Sequence, residues 1–342
     1  MSDLGRASRG ANKKVGHETD RSNGPDDDLP RDGYGRTELM RACRDGDVWK
    51  VEILIEASPL RINGSLTDFN GFTLFHHACC SKNLDVVEYL VESTQVDIDP
   101  NAQTRDMYTP LHFACLYKSL DVVGYFCTTK ELRIDRFLRD HNGDLPIHIA
   151  CANRDLCALK CLVQADRTKT VCNTADRNNR TALHYSCGYF NKSMAEYLIN
   201  TCQSSLDVNI QDKDGRTPAH HMSQLMDGQL MKLLLRKDQA YVDLTVADSN
   251  GETPFHLACK SASREVIELM MTSTKAKTDL ERTNESGQTP FHCVCMNYDR
   301  GVAFCFAQLN LASIDFSAQD KQGNTPIHYV CERGSTGLMR GL

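Results

Sequence analysis

Apolar and polar positions along the chain follow a pattern of 36 residues that recurs in nine units. In each unit one stretch places apolar residues at the spacing of a helix with one buried face. Two examples are Val86, Val87, Leu90 and Val91 in one unit, and Val266, Ile267, Met270 and Met271 in another. A shorter stretch reads His-x-Ala-Cys, whose small residues let another helix approach closely. The pattern therefore predicts two helices in each unit.

Both predicted helices follow residues that favour a helix start. A Thr precedes the first helix in eight of the nine units, with Leu145 in the remaining unit, and Pro follows this Thr in five. Thr as the N-cap and Pro at the first helical position are a common helix start. Ten residues after the Thr, a second short polar side chain can cap the second helix. These second caps are Asp47, Asn83, Ser119, Asp155, Asn191, Asp227, Ser263, Asp299 and Ser335.

A tight turn is predicted before each first helix. Seven of the nine units carry Gly two residues before the cap Thr, often as Asn-Gly or Asp-Gly. These dipeptides supply the positive φ that a tight hairpin turn requires. Each unit is therefore a hairpin turn, a helix, a short loop and a second helix. Such a unit at a fixed period predicts an all-α solenoid, in which each unit stacks on the next.

The clearest copies of the pattern resemble a known repeat. Residues 109–114 read Thr-Pro-Leu-His-Phe-Ala, which is similar to the motif of the ankyrin repeat, and the similarity extends over residues 31–342. The resemblance implies an ankyrin-repeat solenoid of helix-loop-helix units joined by β-hairpin-like fingers. The period of 36 residues is longer than the family's period of about 33. The Gly that closes the first helix in this family is present at Gly46 and Gly334, whereas other units carry Lys82, Lys118 or Arg154.

The two ends of the chain differ from the units between them. Residues 1–30 contain few apolar side chains and are predicted to be a disordered N-terminal tail. Residues 31–342 are the predicted repeat domain, and its first unit gains charge as a terminal capping repeat requires. In that unit we expect Trp49 to be partly buried against the next unit. The ninth unit is incomplete because the sequence stops inside its second helix, which favours a chain that is part of a longer protein.

Composition and charge narrow the classes of function. The chain is 41% hydrophobic and 25% charged, with a formal net charge of −6. It has no apolar run long enough to span a membrane and no apolar N-terminal stretch typical of a signal peptide. We therefore expect a cytoplasmic location, with the nucleus also possible, and no membrane insertion by this segment. The net acidity and the lack of a basic run with interleaved aromatic residues argue against nucleic-acid binding.

Sixteen cysteines raise the question of metal or redox chemistry. Eight of them occupy one slot, six residues after the cap Thr, where a buried thiol behaves as a small hydrophobic group. Neighbouring helices lie about 8–10 Å apart, too far for a disulfide, and the Cys-x-x-Cys pairs typical of zinc sites are missing. We expect packing and neither a metal nor a cofactor, and a redox-sensing cysteine array is the alternative that thiol titration would test. The eight are Cys43, Cys79, Cys115, Cys151, Cys187, Cys259, Cys295 and Cys331.

Histidine is equally periodic. Eight units carry His three residues after the cap position, and the resemblance to ankyrin repeats implies that this His makes a hydrogen bond between repeats. A second His follows it directly at His77 and His221, and these two imidazoles are expected on an exposed face.

Patterns of known catalytic sites are missing from the sequence. It contains no phosphate-binding Gly-x-x-x-x-Gly-Lys loop, no His-Glu-x-x-His and no Gly-x-Ser-x-Gly. We therefore expect a non-enzymatic scaffold that binds another protein, with no catalytic residues and no small-molecule substrate. The alternative is that the chain is the regulatory N-terminal ankyrin arm of a larger kinase or cation channel.

Partner-binding residues are predicted at slots whose side chains vary between units. These are the slot immediately before the cap Thr and the slots seven and eight residues after it, which by analogy with ankyrin stacks line the concave surface. Variation there leaves the core unchanged and can encode a partner, although drift on a solvated face is the alternative. Alanine at Tyr108, Tyr117 or Arg180 is expected to weaken binding by more than about 1 kcal/mol without changing melting, and changes at Glu88 or Glu196 to do nothing. The predicted residues are Phe72, Tyr108, Tyr117, Arg180, Tyr189, Arg216, Leu225, Lys260 and Met296.

Overall fold

The architecture is given by a computed structural model, which describes residues 30–188, 191–202, 205–225, 228–236, 242–272, 280–297 and 315–332. In these ranges a first and a second helix alternate along the chain, and none is long and apolar enough to cross a membrane. The first helices are α1 (Glu38–Asp45), α3 (Leu74–Ser81), α5 (Pro110–Leu116), α7 (Pro146–Ala152), α9 (Ala182–Gly188), α11 (Pro218–Gln224), α13 (Pro254–Ser261), α15 (Pro290–Asn297) and α16 (Pro326–Glu332). The second helices are α2 (Val48–Glu56), α4 (Leu84–Glu92), α6 (Leu120–Thr128), α8 (Leu156–Ala165), α10 (Lys192–Thr201), α12 (Gly228–Leu234) and α14 (Arg264–Thr272).

Each helix packs against its counterparts in the neighbouring units, so the predicted solenoid is confirmed. First helices contact first helices from α1 through α16, and second helices contact second helices from α2 through α14. Large apolar side chains fill the space between the two rows, including Phe75 and Phe126, whose ring centroids lie 5.7 Å apart. The hydrophobic core is therefore one continuous strip along the stack, to which each unit adds the same few buried positions.

The slot cysteines belong to this core. All of them except Cys331 are buried, and none of the cysteines in the described ranges is in a disulfide. Burial raises the pKa of Cys151 and of Cys295 to about 12, which makes these thiols poor nucleophiles and poor metal ligands. The expected packing role is confirmed for the buried members of the slot.

The hairpin before each first helix, here called a finger, is closed by backbone geometry. Gly71 adopts a φ of 83°, and a Cβ atom there would lie 2.8 Å from the backbone nitrogen of Arg105 in the next finger. That nitrogen donates a hydrogen bond of 3.2 Å to the carbonyl oxygen of Asn70. Similar bonds join most successive fingers in the described ranges. Glycine thus permits both the turn and the close approach of the next unit.

A short parallel strand pair joins the first two units and was not predicted. Strand β1 (Ile62–Asn63) pairs with β2 (Val96–Asp97), with Ile62 opposite Val96. Both strands lie between a second helix and the following finger, where the period of this chain exceeds the family period. The added residues of these two units extend the contact between neighbours by backbone hydrogen bonding.

The helix ends follow the sequence signals with one exception among the second caps. The side chains of Asp47, Asn83, Asp155 and Asn191 accept hydrogen bonds from helix N–H groups, but Ser119 does not, and its hydroxyl oxygen is buried without a partner. The predicted caps Asp227, Asp299 and Ser335 lie outside the described residues. At the ends of the first helices, left-handed backbone is found at non-glycine residues, namely Lys82, Lys118, Arg154 and Ala262.

The expectation for Trp49 is wrong. Its side chain is 71% exposed, because it lies on the outward face of α2. The equivalent positions in the next two units, Asp85 and Asp121, are also exposed. The slot therefore faces solvent in successive units, and the first unit differs only in placing an aromatic side chain there. The predicted tail, residues 1–30, lies outside the described residues apart from Pro30, as does the end of the ninth unit.

Candidate partner-binding surface

The predicted slots form what we call the finger-side surface. We define it as the side chains immediately before the cap and those four, seven and eight residues after it. The backbone just before the cap is fixed by the slot His of the preceding unit. His76 Nε2 donates to the carbonyl oxygen of Tyr108 at 3.0 Å, and five further units repeat this arrangement at 3.0–3.2 Å. His148 instead donates to the carbonyl oxygen of Thr174 at 2.9 Å.

The other ring nitrogen of each His fixes its protonation state. His76 Nδ1 accepts a hydrogen bond of 3.1 Å from the backbone N–H of Thr73 and lies 2.8 Å from the Thr73 hydroxyl oxygen. A ring that accepts at Nδ1 and donates at Nε2 is neutral. Burial lowers the pKa of His76 to about 4, although the Tyr108 carbonyl favours the charged form. The predicted inter-repeat hydrogen bond is confirmed, and it requires the uncharged imidazole.

An Asp in most fingers positions the slot before the cap. Asp68 Oδ1 accepts hydrogen bonds from the backbone N–H groups of Asn70, at 2.9 Å, and of Phe72, at 3.0 Å. The other oxygen, Oδ2, lies 3.2 Å from Nε2 of His77. His77 is fully buried beside this carboxylate, so the expectation of an exposed imidazole is wrong there. His221 lies 3.1 Å from Asp212 and its side chain is 20% exposed.

The structure brings three predicted residues together in the second and third units. The ring of Phe113 lies 4.7 Å from that of Phe72, 5.3 Å from that of Tyr108 and 6.2 Å from that of Tyr117. Phe113 is buried, whereas the other three are half-buried and pack against the core. We call these four residues the aromatic cluster. It offers partly exposed ring surface with little side-chain freedom, which suits apolar recognition.

Arg180 lies in a polar network between the fourth and fifth units. Its guanidinium donates to the carboxylate of Asp176 and to the hydroxyl oxygen of Tyr185, at 2.8 and 2.7 Å. The Tyr185 oxygen also lies 2.8 Å from Asp144 Oδ1 and 2.9 Å from Asp176 Oδ2, and its single hydrogen can be donated to one of them at a time. Burial raises the pKa of Asp144 to about 6, and the nearby carboxylates act in the same direction.

The later units pair their variable side chains within the chain. Arg216 contacts Asp248 at 3.1 Å, and Lys260 forms an ion pair with Glu252. Met296 Sδ accepts from Gln288 Nε2 at 3.8 Å. Leu225 is half-buried against the core, and Tyr189 lies outside the described residues.

Sequence reasoning missed the slot four residues after the cap. Phe113 and Tyr185 occupy it, and each contacts residues before the cap in its own unit and in the preceding one. The residue type in this slot varies between units, and this variation could have identified it. The slot contains Arg41, His77, Phe113, Ile149, Tyr185, His221, Leu257, Cys293 and Tyr329.

These contacts change one expectation about alanine variants. The ring of Tyr108 packs on Phe113, and Arg180 bonds to two buried groups. Removing either side chain opens space or leaves a polar group unpaired, which costs about 1–3 kcal/mol. We therefore expect Tyr108→Ala and Arg180→Ala to lower stability as well as any affinity.

The described ranges contain no group of three or more His, Cys, Asp or Glu side chains that could hold a metal ion.

A family model that describes three consecutive ankyrin repeats matches the chain at residues 17–104, 39–136, 130–212 and 200–281. No curated protein matches the chain. Among solved structures, the crystal structure of EF0377, an ankyrin repeat protein, is 18% identical with a TM-score of 0.50, covering 57% of this chain and 94% of that one. At this identity the likeness supports the fold alone.

Proposed function

The chain belongs to the ankyrin repeat family, and on this premise we propose that its finger-side surface binds a protein partner. Ankyrin repeats are generally protein–protein interaction modules and typically non-catalytic. Within this family the fold is shared and the partner is chosen by the side chains on the surface. The function we propose is that of a non-enzymatic scaffold.

The observation that carries the proposal is the aromatic cluster. Three of its rings, those of Phe72, Tyr108 and Tyr117, are half-buried, and each contacts the ring of Phe113. Partly exposed rings that are already held in place lose little conformational entropy when a partner covers them. The cluster is therefore the proposed anchor, and the polar network around Arg180 provides hydrogen-bonding groups further along the surface.

The number of free thiols supports a location for this activity. No disulfide is present among the described cysteines, and cytosolic and nuclear compartments keep thiols reduced. We propose that the scaffold acts in the cytoplasm or the nucleus.

The proposal is tested with two variants. Tyr117→Ala removes a ring at the edge of the aromatic cluster, and Glu88→Ala changes a half-buried residue of the second helix α4. Partners retained by the wild-type chain from cells that express it are identified and quantified on each variant, with melting recorded in parallel. We expect Tyr117→Ala to reduce retention about tenfold and Glu88→Ala to leave it unchanged. Equal retention by both folded variants would exclude the aromatic cluster as the anchor.

A further inference from the structure

Two cysteines outside the packing slot lie next to each other in a buried position. The Sγ atoms of Cys172 and Cys202 are 2.7 Å apart, and their side chains are 0% and 1% exposed. They lie 27 and 21 residues after the cap positions of their own units, whereas the packing cysteines lie six residues after. In the described ranges no other pair of cysteine sulfurs is joined by a hydrogen bond.

The backbone around the pair holds it across the junction of two units. Cys172 is the last residue of a 3-10 helix (Thr170–Cys172) that follows α8, and Cys202 caps the C-terminus of α10. The next residue, Asn173, spans the same junction. Its side-chain nitrogen donates to the carbonyl oxygen of Ser205, and its side-chain oxygen accepts from the backbone N–H of Asp207 at 2.9 Å. The two sulfurs are therefore brought together by the stacking of the fourth and fifth units.

We propose that Cys172 and Cys202 form a reversible disulfide when the protein meets a peroxide. The thiolate of one cysteine attacks hydrogen peroxide, the O–O bond breaks, and that cysteine becomes a sulfenic acid with release of hydroxide. The sulfur of the other cysteine then attacks the sulfenic sulfur, its proton goes to the leaving oxygen, and water departs. In total two thiols and one hydrogen peroxide yield one disulfide and two waters. Two electrons pass from the thiols to the peroxide, and a dithiol reductant reverses the step.

The hydrogen bond between the two sulfurs lowers the pKa of one thiol and raises the pKa of the other, and either sulfur can be its donor. The nearby Lys169 ammonium lowers the pKa of both thiols, whereas burial raises both. The thiolate is the reactive form, so the sulfur that accepts the hydrogen bond is the attacking group and the other is the resolving one.

The two sulfurs, 2.7 Å apart, lie close to the separation of about 2.05 Å that a disulfide requires. The bond would close a ring from residue 172 to residue 202, which includes Arg180 and Tyr185 of the finger-side surface. Oxidation would thus tie two units together beside the proposed binding network.

The experiment treats the full chain with hydrogen peroxide, blocks remaining thiols by alkylation, and maps tryptic peptides after denaturation. Peptides 170–177 and 193–213 each contain one of the two cysteines and no other. We expect them to appear as one linked species that dithiothreitol separates, and the oxidised chain to melt at a higher temperature. Cys172→Ser should abolish the linked species, whereas Cys151→Ser, in the packing slot, should retain it.

Two results would overturn the proposal. One is oxidation confined to exposed thiols such as Cys157 while both cysteines of the pair remain open to alkylation on unfolding. The other is linkage of either peptide to several different cysteines with no preference for its neighbour. Both readouts use the wild-type chain, so neither depends on whether a variant folds.

Discussion

Mild acid should unfold this protein through its column of slot histidines. His76, His148, His184 and His220 are buried and neutral, and burial lowers the pKa of each from 6.5 to about 4. Each one uses Nδ1 as an acceptor, so protonation breaks the bond to the cap residue of its own unit. Lowering the pH from 7 to 5 is therefore a perturbation aimed at one repeated contact.

The sign and size follow from proton linkage. These histidines bind protons near pH 6.5 in the unfolded chain and only near pH 4 in the folded chain. The stability that comes from their neutral form is therefore present above pH 6.5 and is lost as the pH falls toward 4. Between pH 7 and 5 each such His lowers the free energy of unfolding by about 2 kcal/mol, and the four together lower it by about 7 kcal/mol. Asp144 acts in the opposite direction, because its folded pKa is raised to about 6, and it offsets only about 1 kcal/mol over this interval.

The assay is urea unfolding followed by circular dichroism at pH 7, 6 and 5 and constant ionic strength. His184→Gln removes one titrating ring and should lose about 2 kcal/mol less than the wild type between pH 7 and 5. The matched control is His141→Gln, at an exposed finger residue, which should follow the wild type. If the free energy of unfolding falls equally in the wild type and both variants, or does not fall, protonation of the slot histidines is not the cause of acid unfolding.

Three further predictions concern individual positions, each measured by urea unfolding. Cys115→Ala should cost about 1–2 kcal/mol and chelators should have no effect, since its thiol is packing; unfolding by a chelator would contradict this. Gly143→Ala should lower the free energy of unfolding by at least about 1 kcal/mol more than Gly323→Ala. Both glycines have positive φ, but only a Cβ atom at Gly143 would meet the backbone of Arg177, and equal losses would exclude this contact between fingers. Arg154→Gly should stabilise by about 0.5–1 kcal/mol by relieving left-handed strain, and a loss of stability would show that Arg154 makes compensating contacts.

The repeat itself could be predicted because local chemistry decides it. Thr73 caps its helix, Gly71 permits the finger turn, and the slot Cys packs, each for a reason contained within one unit. Copies at a fixed period then imply stacking, since one unit cannot bury its apolar face alone. The structure confirms the cap at Thr73, the turn at Gly71 and the packing of the slot cysteines other than Cys331.

Contacts between units were harder to predict. The strands β1 and β2, the exposure of Trp49 and the burial of His77 each depend on what the neighbouring unit or finger presents. The repeat period predicts which slot a residue occupies, but it does not predict which residue of a neighbouring unit its side chain contacts.

The candidate surface shows the same division. Variation between units pointed to the residues before the cap, and the structure places the rings of two of them, Phe72 and Tyr108, against Phe113. The variation did not show that Arg180 bonds to Asp176 and Tyr185. Bonds of this kind depend on rotamers and on charges brought from two units, and neither is visible in a list of slots.

Site-specific photo-cross-linking locates the partner-binding surface without a known partner. A photoreactive phenylalanine analogue is placed at Tyr117 or Leu225 on the finger-side surface, and at Glu88 or Glu196 on the second helices. Each chain is expressed in the cells that normally make the protein and irradiated. We expect protein adducts from the first pair and none from the second. Adducts from Glu88 and Glu196 alone would show that the partner binds the opposite side of the stack.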